Sequence, residues 1–246
     1  MEKFGEGLCA LLLLLYFAHV ARCDSRCIAQ FGTCKYKSSG CPGGSFTRGL
    51  CNGPYDRQCC VPGGGSGGSG SGSAGSCSGV SIVSRAGWRA RSPKSTSYMS
   101  TPVSLVFIHH TAGSTCSSSS SCARVARETQ NFHMNSRGYS DVGYNFLVGG
   151  DGKIYEGRGW NRVGAHTLGF NSRAIAISFM GNFMKQSPTS SAINAAKNLI
   201  ACGVREGKIR SSYKLYGHRQ AGSTSCPGDR LYRIIQSWPR YTSGRA

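Results

Sequence analysis

Apolar residues gather into short blocks along the second two-thirds of the chain, and their spacing changes from block to block. Ser104-Leu-Val-Phe-Ile-His-His110 and Ala174-Ile-Ala-Ile-Ser-Phe-Met180 are nearly continuous apolar runs of strand length. That pattern predicts strands buried on both faces. Tyr144–Val148 and Lys153–Glu156 flank the turn Gly149-Gly-Asp-Gly152, which predicts a β-hairpin. Cys122 to Met134 fits a helix. Ala192, Ala195, Ala196, Leu199 and Ile200 recur at helical spacing, with Ser190 or Ser191 as cap and Gly203 as a stop. Leu231 to Trp238 reads as a closing amphipathic helix. Strands alternating with helices in this order predict an α/β fold, a mixed central sheet flanked by helices, over residues 77–246.

Upstream the pattern is different. Leu8 to Ala18 is apolar and contains the run Leu11–Leu15, too short to span a bilayer and of the size of a signal-peptide core. Residues 1–23 therefore read as a signal peptide, cut after Ala21 or Cys23, and the protein as secreted and extracellular, where cysteines oxidise. Residues 24–61 hold six cysteines (Cys27, Cys34, Cys41, Cys51, Cys59 and Cys60) and little aliphatic core beyond Ile28, Leu50 and Val61. Three bridges would staple such a segment, by any of about 15 connectivities. The terminal Cys59-Cys60 pair resembles defensin-like peptides, which implies membrane-directed antibacterial action. The surrounding glycines resemble short cysteine-rich modules of wall hydrolases, which implies wall binding; a plain structural appendage stays open beside both. Residues 62–76 then carry eight glycines and five serines. This is a flexible linker with an r.m.s. span of about 20 Å.

Charge narrows the partners. The chain carries 29 basic against 10 acidic side chains, a formal charge of +19. Most of the excess lies in residues 77–246. Bacterial surfaces are anionic, so contact with them through either half, residues 24–61 included, fits the sign. Nucleic acid is not expected, since no basic-aromatic motif accompanies the charge. No apolar run reaches the ~20 residues of a transmembrane helix. The cysteine count of 13 is odd, so at least one is removed, free or given another task.

The remaining chemistry lies with histidine. His109 and His110 end a strand, where neighbours ordinarily face opposite sides. His218 stands in Tyr216-Gly-His-Arg219, eight residues before Cys226 in Ser225-Cys-Pro-Gly228. Two imidazoles and a thiolate make a good zinc shell with a fourth position left for water. Satisfied structural histidines and a free thiol read the same residues equally well from spacing alone.

A resemblance separates these readings. Val106-Phe-Ile-His-His-Thr-Ala-Gly113, Asp141-Val-Gly-Tyr-Asn-Phe-Leu-Val148, Tyr155-Glu-Gly-Arg-Gly-Trp-Asn161, Val163-Gly-Ala-His-Thr167, Ile177-Ser-Phe-Met-Gly-Asn182 and Gly217-His-Arg219…Cys226-Pro-Gly228 closely resemble animal peptidoglycan recognition proteins. These are relatives of phage N-acetylmuramoyl-L-alanine amidases, and the match runs from about Cys77 to Tyr241. It implies a zinc amidase fold with a long groove for peptidoglycan, and zinc held by His109, His218 and Cys226. Family members that only bind substrate usually carry serine at the cysteine position. Zinc lowers the pKa of water toward ~7 and polarises a carbonyl. The implied reaction is hydrolysis of the amide between N-acetylmuramic acid and L-alanine of the stem peptide. The resemblance places Tyr144 over the metal as a catalytic residue. It also places Thr224 in the catalytic set, at the position where phage amidases carry a lysine, although threonine cannot act as a cation.

For substrate, the resemblance carries over His110, Thr111, His133, Arg137, His166 and Asn171 as groove residues. Gly138 and Tyr139 occupy the dipeptide that reads the stem peptide, where Gly-Trp with a downstream arginine favours diaminopimelate; Tyr139 departs from that pattern. Arg158 could pair the extra carboxylate through a charge-assisted bond. The family also implies bridges Cys116–Cys122 and Cys77–Cys202. Cys9, and Cys23 if the cut follows it, then leave with the signal peptide, six cysteines staple the small module, and Cys226 stays reduced.

Overall fold

The computed structural model describes residues 27, 33–41, 44–47, 51, 57–62, 77 and 79–246. The signal-peptide reading and most of the linker lie outside these residues. The chain divides into two compact units, Met1–Ser73 and Ala74–Ala246.

The first unit is a three-stranded antiparallel sheet, β1 (Thr33–Tyr36), β2 (Gly44–Thr47) and β3 (Arg57–Pro62), in the order β1-β3-β2. The central strand carries both adjacent cysteines. Successive strand residues point to opposite faces, so the pair sends one bridge to each side. Cys59 joins Cys27 and Cys60 joins Cys41, while Cys34 joins Cys51. β3 continues to Pro62, the first residue that composition assigns to the linker.

The second unit is built on a six-stranded mixed sheet. In chain order its elements are β4 (Ile82–Val83), β5 (Val103–His110), α1 (Ser119–Asn131), β6 (Phe146–Val148), β7 (Ile154–Glu156), β8 (Ala174–Phe179), α2 (Ser190–Arg205), β9 (Ile209–Gly217) and α3 (Asp229–Ile235). The spatial order is β4-β7-β6-β8-β5-β9, with every pairing parallel except the β6–β7 hairpin. The predicted hairpin is present, Leu147 opposite Tyr155. β5 and β8 are buried on both faces, as their continuous apolar runs require: Val106, Phe107, Ile108, Ala174, Ile175, Ala176 and Ile177 are all fully buried.

Helices cover both faces. Val125 and Ala126 of α1 pack with Trp88, Leu147 and Tyr155. Gly203 of α2 packs instead on Trp160, whose ring lies 4.5 Å from that of Phe146. Phe146 and Leu147 are neighbours on one strand and face opposite ways, so α1 and α2 lie on opposite sides.

Boundaries of all three helices differ from expectation, α3 spanning Asp229–Ile235 and not Leu231–Trp238. α1 starts at Ser119, because the Ser118 hydroxyl accepts the Ser121 N–H and caps it. α2 is capped by Thr189, not by Ser190 or Ser191, and runs through Gly203 to Arg205. Gly203 is a packing residue and not a stop: a Cβ there would sit 2.7–2.9 Å from Ile209 and Trp160. The left-handed turn that follows the helix is at Gly207, φ 62°. The disulfides Cys77–Cys202 and Cys116–Cys122 are both formed. Among the described residues, no helix is long and apolar enough to cross a membrane.

Candidate functional site

The parallel strands β5, β8 and β9 end at one edge of the sheet, where open α/β sheets place their ligand sites. β5 ends in His109 and His110; β9 ends at Gly217, so His218 opens the following 3-10 turn. Gln220 steadies that turn by accepting the Gly217 N–H and donating to the carbonyls of Thr242 and Gly244. Cys226 comes back from the next loop. The His110 backbone N–H points at its sulfur at 3.4 Å, and its own N–H donates to Thr224 Oγ1 at 3.2 Å.

These loops bring His109, His218 and Cys226 together, with one ligand atom from each lying within 4.8 Å of the others. The His109 and His218 ring centroids are 4.5 Å apart, and Cys226 Sγ lies 3.7 Å from His109 Nδ1. Ligands of a tetrahedral zinc, with Zn–S about 2.3 Å and Zn–N about 2.0 Å, stand roughly 3.6 Å from each other. The donor set therefore has both the softness and the spacing for that ion. Cys226 is the free cysteine among the described residues.

The electrostatics favour neutral rings. Burial, then the neighbouring His218, His166 and His110, hold His109 well below the usual imidazole range. Burial also lowers His218, and with the charge of Arg219 nearby it brings His110 to about 4. Neutral imidazoles keep the lone pairs a metal needs. Burial pushes the Cys226 thiol up to about 12, against the His110 N–H and Arg219. In this pocket a thiolate requires a cation beside it.

Around the cluster lies a cavity of about 690 Å³, within the range of ligand sites. One wall is the α1 face and the π-helical turn after it; the others come from residues 111–114, 165–166 and 224–226. Of the residues predicted from sequence, His110, Thr111, His133, Arg137, Tyr139, Tyr144, His166 and Thr224 line it with the three candidate ligands. Both histidines of the pair face it, because β5 ends there. Tyr144 sits with its ring 5.3 Å from those of both His109 and His133, and its hydroxyl donates to the His110 carbonyl at 3.5 Å. Burial raises its pKa, so the phenol keeps its proton. Gly143 is required beside it, since a Cβ would lie 2.5 Å from the Ala165 carbonyl.

His133 accepts the Gly143 N–H on Nδ1 at 2.9 Å, and burial with Arg158 and Arg137 lowers it to about 4. A neutral ring with Nδ1 accepting carries its proton on Nε2, as a donor.

Gly138, Arg158 and Asn171 do not line the cavity. Gly138 makes a left-handed turn, φ 70°. Asn171 accepts the N–H groups of His166 and Thr167 on its Oδ1 and holds their loop. Arg158 is buried, donating to the carbonyls of Val142 and Val163 at 2.7 and 2.8 Å. Four residues of the wall made by α1 and the turn after it escaped the sequence reading: Val125, Glu128, Thr129 and Phe132. Phe132 is half exposed, with the Arg137 guanidinium 5.3 Å from its ring. The signal was available: Val125, Glu128, Thr129 and Phe132 fall at i, i+3, i+4 and i+7, one helical face.

Comparison with known proteins places this geometry. The N-acetylmuramoyl-L-alanine amidase family matches residues 99–229, and the disulfide-bonded first unit lies outside that match. Peptidoglycan-recognition protein SC2 of Drosophila simulans is 48% identical over 163 residues, 66% of this chain and 89% of the relative. Peptidoglycan recognition protein 1 of Bos indicus is 50% identical over 162 residues, 65% of this chain and 85% of the relative. Among solved structures, wild-type Drosophila PGRP-LB matches with TM-score 0.65 and 44% identity, over 66% of this chain and 96% of its own. Peptidoglycan recognition protein LE in complex with tracheal cytotoxin, a monomeric diaminopimelic acid-type peptidoglycan, matches with TM-score 0.63 and 47% identity, over the same shares. The chain thus belongs to the peptidoglycan recognition proteins, within the N-acetylmuramoyl-L-alanine amidase family.

Proposed function

We propose that this protein is a secreted, zinc-dependent N-acetylmuramoyl-L-alanine amidase that binds bacterial peptidoglycan and releases its stem peptide. The observation that carries the reading is the free, buried Cys226 gathered with His109 and His218. These three residues would hold zinc, which when bound supplies Lewis acidity toward a carbonyl and lowers the pKa of water. Tyr144 keeps its phenolic proton and serves as a fixed donor toward the oxygen on which negative charge develops. Thr224, its hydroxyl on the Cys226 N–H, holds the cysteine loop. His133 offers Nε2–H and Arg137 a cation to the glycopeptide, with Phe132 beside it as an apolar platform.

The solved relatives bound to tracheal cytotoxin support a diaminopimelate-type stem peptide as substrate. Arg137 is the cavity-lining guanidinium available to a carboxylate, while two nitrogens of Arg158 already serve carbonyls. The five disulfides among the described residues fit an oxidising, extracellular setting. The first unit, with Lys35, Lys37 and Arg57 among its described residues, adds contact with the anionic bacterial surface.

A binding-only protein would use the same groove and need no thiolate at Cys226. The deciding experiment is turnover of purified peptidoglycan with and without a chelator. Release of stem peptide that stops on chelation and returns with zinc supports the amidase; zinc-independent binding with no amide cleavage refutes it.

A further inference from the structure

Thr167 stands between two imidazoles that the cavity shares. Its Oγ1 lies 3.3 Å from His109 Nε2 and 3.0 Å from His166 Nδ1. All three residues are buried, Thr167 at 2% exposure, so water does not compete for these bonds. The hydroxyl is also held in place from behind, because Asn171 Oδ1 accepts the backbone N–H of both His166 and Thr167, at 2.8 and 2.9 Å.

A hydroxyl has one proton to give. It also has two lone pairs, so at most one of the two ring nitrogens that face it accepts and at least one donates. His109 turns Nδ1 toward Cys226 Sγ. A ring whose Nδ1 lone pair goes to a cation carries its proton on Nε2. His109 Nε2–H therefore donates to Thr167 Oγ1, and the Thr167 proton is left for His166 Nδ1, its other neighbour within hydrogen-bond distance. The proton of His166 is then on Nε2.

We propose that Thr167 is the positioning residue of the metal cluster: it fixes the ring orientation and tautomer of His109 and imposes the matching tautomer on His166. This rests on the reading of His109, His218 and Cys226 as zinc ligands. Partners of this kind, one bond removed from the ion, typically change metal affinity about 10–100-fold when lost.

The test uses the full chain. Zinc dissociation constants are measured by chelator competition for the wild type, Thr167→Val and Thr167→Ser. Valine keeps the shape and removes the hydroxyl; serine keeps the hydroxyl. The expected result is a loss of about 10–100-fold for valine and near-complete rescue by serine. Nitrogen-15 NMR of the zinc-loaded wild type reads the tautomers without any substitution, and His166 should carry its proton on Nε2. Wild-type zinc binding with equally tight binding by Thr167→Val, or His166 protonated on Nδ1, overturns the inference and leaves the amidase reading intact. A wild type that binds no zinc at all overturns both.

Discussion

The two units of this protein solve the same problem by opposite means. In the first, the bridges Cys27–Cys59, Cys34–Cys51 and Cys41–Cys60 anchor β1 and β3 to flanking segments, and buried cysteines (Cys27, Cys59 and Cys60) stand where a larger domain has aliphatic side chains. In the second, a six-stranded sheet between helices buries Trp88, Phe107, Ile108, Ile175, Ile177 and Leu199, and its two bridges fasten the unit's start to α2 and close a short loop. A chain too short to bury enough apolar surface must restrain its unfolded state; a longer one is stabilised mainly by burial. Only the packed unit can then spare a cysteine. Cys226 stays reduced because His109 and His218, not another thiol, are what the fold sets beside it.

The contrast can be broken from several directions. The largest effect belongs to the spared cysteine. Cys226→Ser should reduce stem-peptide release from purified peptidoglycan to background while sedimentation with insoluble peptidoglycan persists. Turnover retained in that variant would move catalysis away from the cluster. Next comes stapling. On loop-closure entropy, Cys27–Cys59, 32 residues apart, contributes about 4 kcal/mol, and Cys116–Cys122, six apart, about 2 kcal/mol. The double variant Cys27→Ala/Cys59→Ala should unfold the first unit, seen as collapsed amide dispersion for that unit alone. Cys116→Ala/Cys122→Ala should only lower the melting temperature of the second.

A smaller change probes burial without covalent help. Arg158→Lys strands one of two carbonyls that Arg158 serves, and chemical denaturation should register a loss of about 1–3 kcal/mol. Smallest of all is the tether. Doubling the Gly/Ser linker should weaken any bivalent attachment to whole bacteria by no more than about 3-fold, from the −3/2 power of length. A larger loss would mean that the linker is more than a spacer.

Much of the second unit was legible because its central strands are buried on both faces, and short apolar runs rich in β-branched and aromatic residues, as at Val106–Ile108 and Ala174–Ile177, read as buried strands. What escaped was decided at a distance. Gly203 carries the signature of a helix stop, but Trp160, far away in sequence, occupies the space where a Cβ would go, and the helix continues. Serines 117–121 offer several equivalent caps, and only the bond from Ser121 N–H to Ser118 Oγ selects one. The pairing of the six cysteines had to wait for strand register, with Cys34 opposite Cys59 and Phe46 opposite Cys60. In the site, the three ligand candidates were legible from residue type and resemblance. The tasks of Asn171 and Arg158 were not, because both serve backbone groups, and a sequence pattern carries no trace of which carbonyl or N–H lacks a partner.

The gathering of residues 109, 218 and 226 at one strand edge has a thermodynamic side. Such a site exists only in the folded chain, so any cation it holds is coupled to folding itself. At 100 times its dissociation constant, one bound ion adds about 2.7 kcal/mol to the free energy of unfolding. It would also bridge segments more than a hundred residues apart, as Cys77–Cys202 does. The second unit would thus have a third, reversible cross-link, and its melting temperature would report free metal concentration even when no substrate is present.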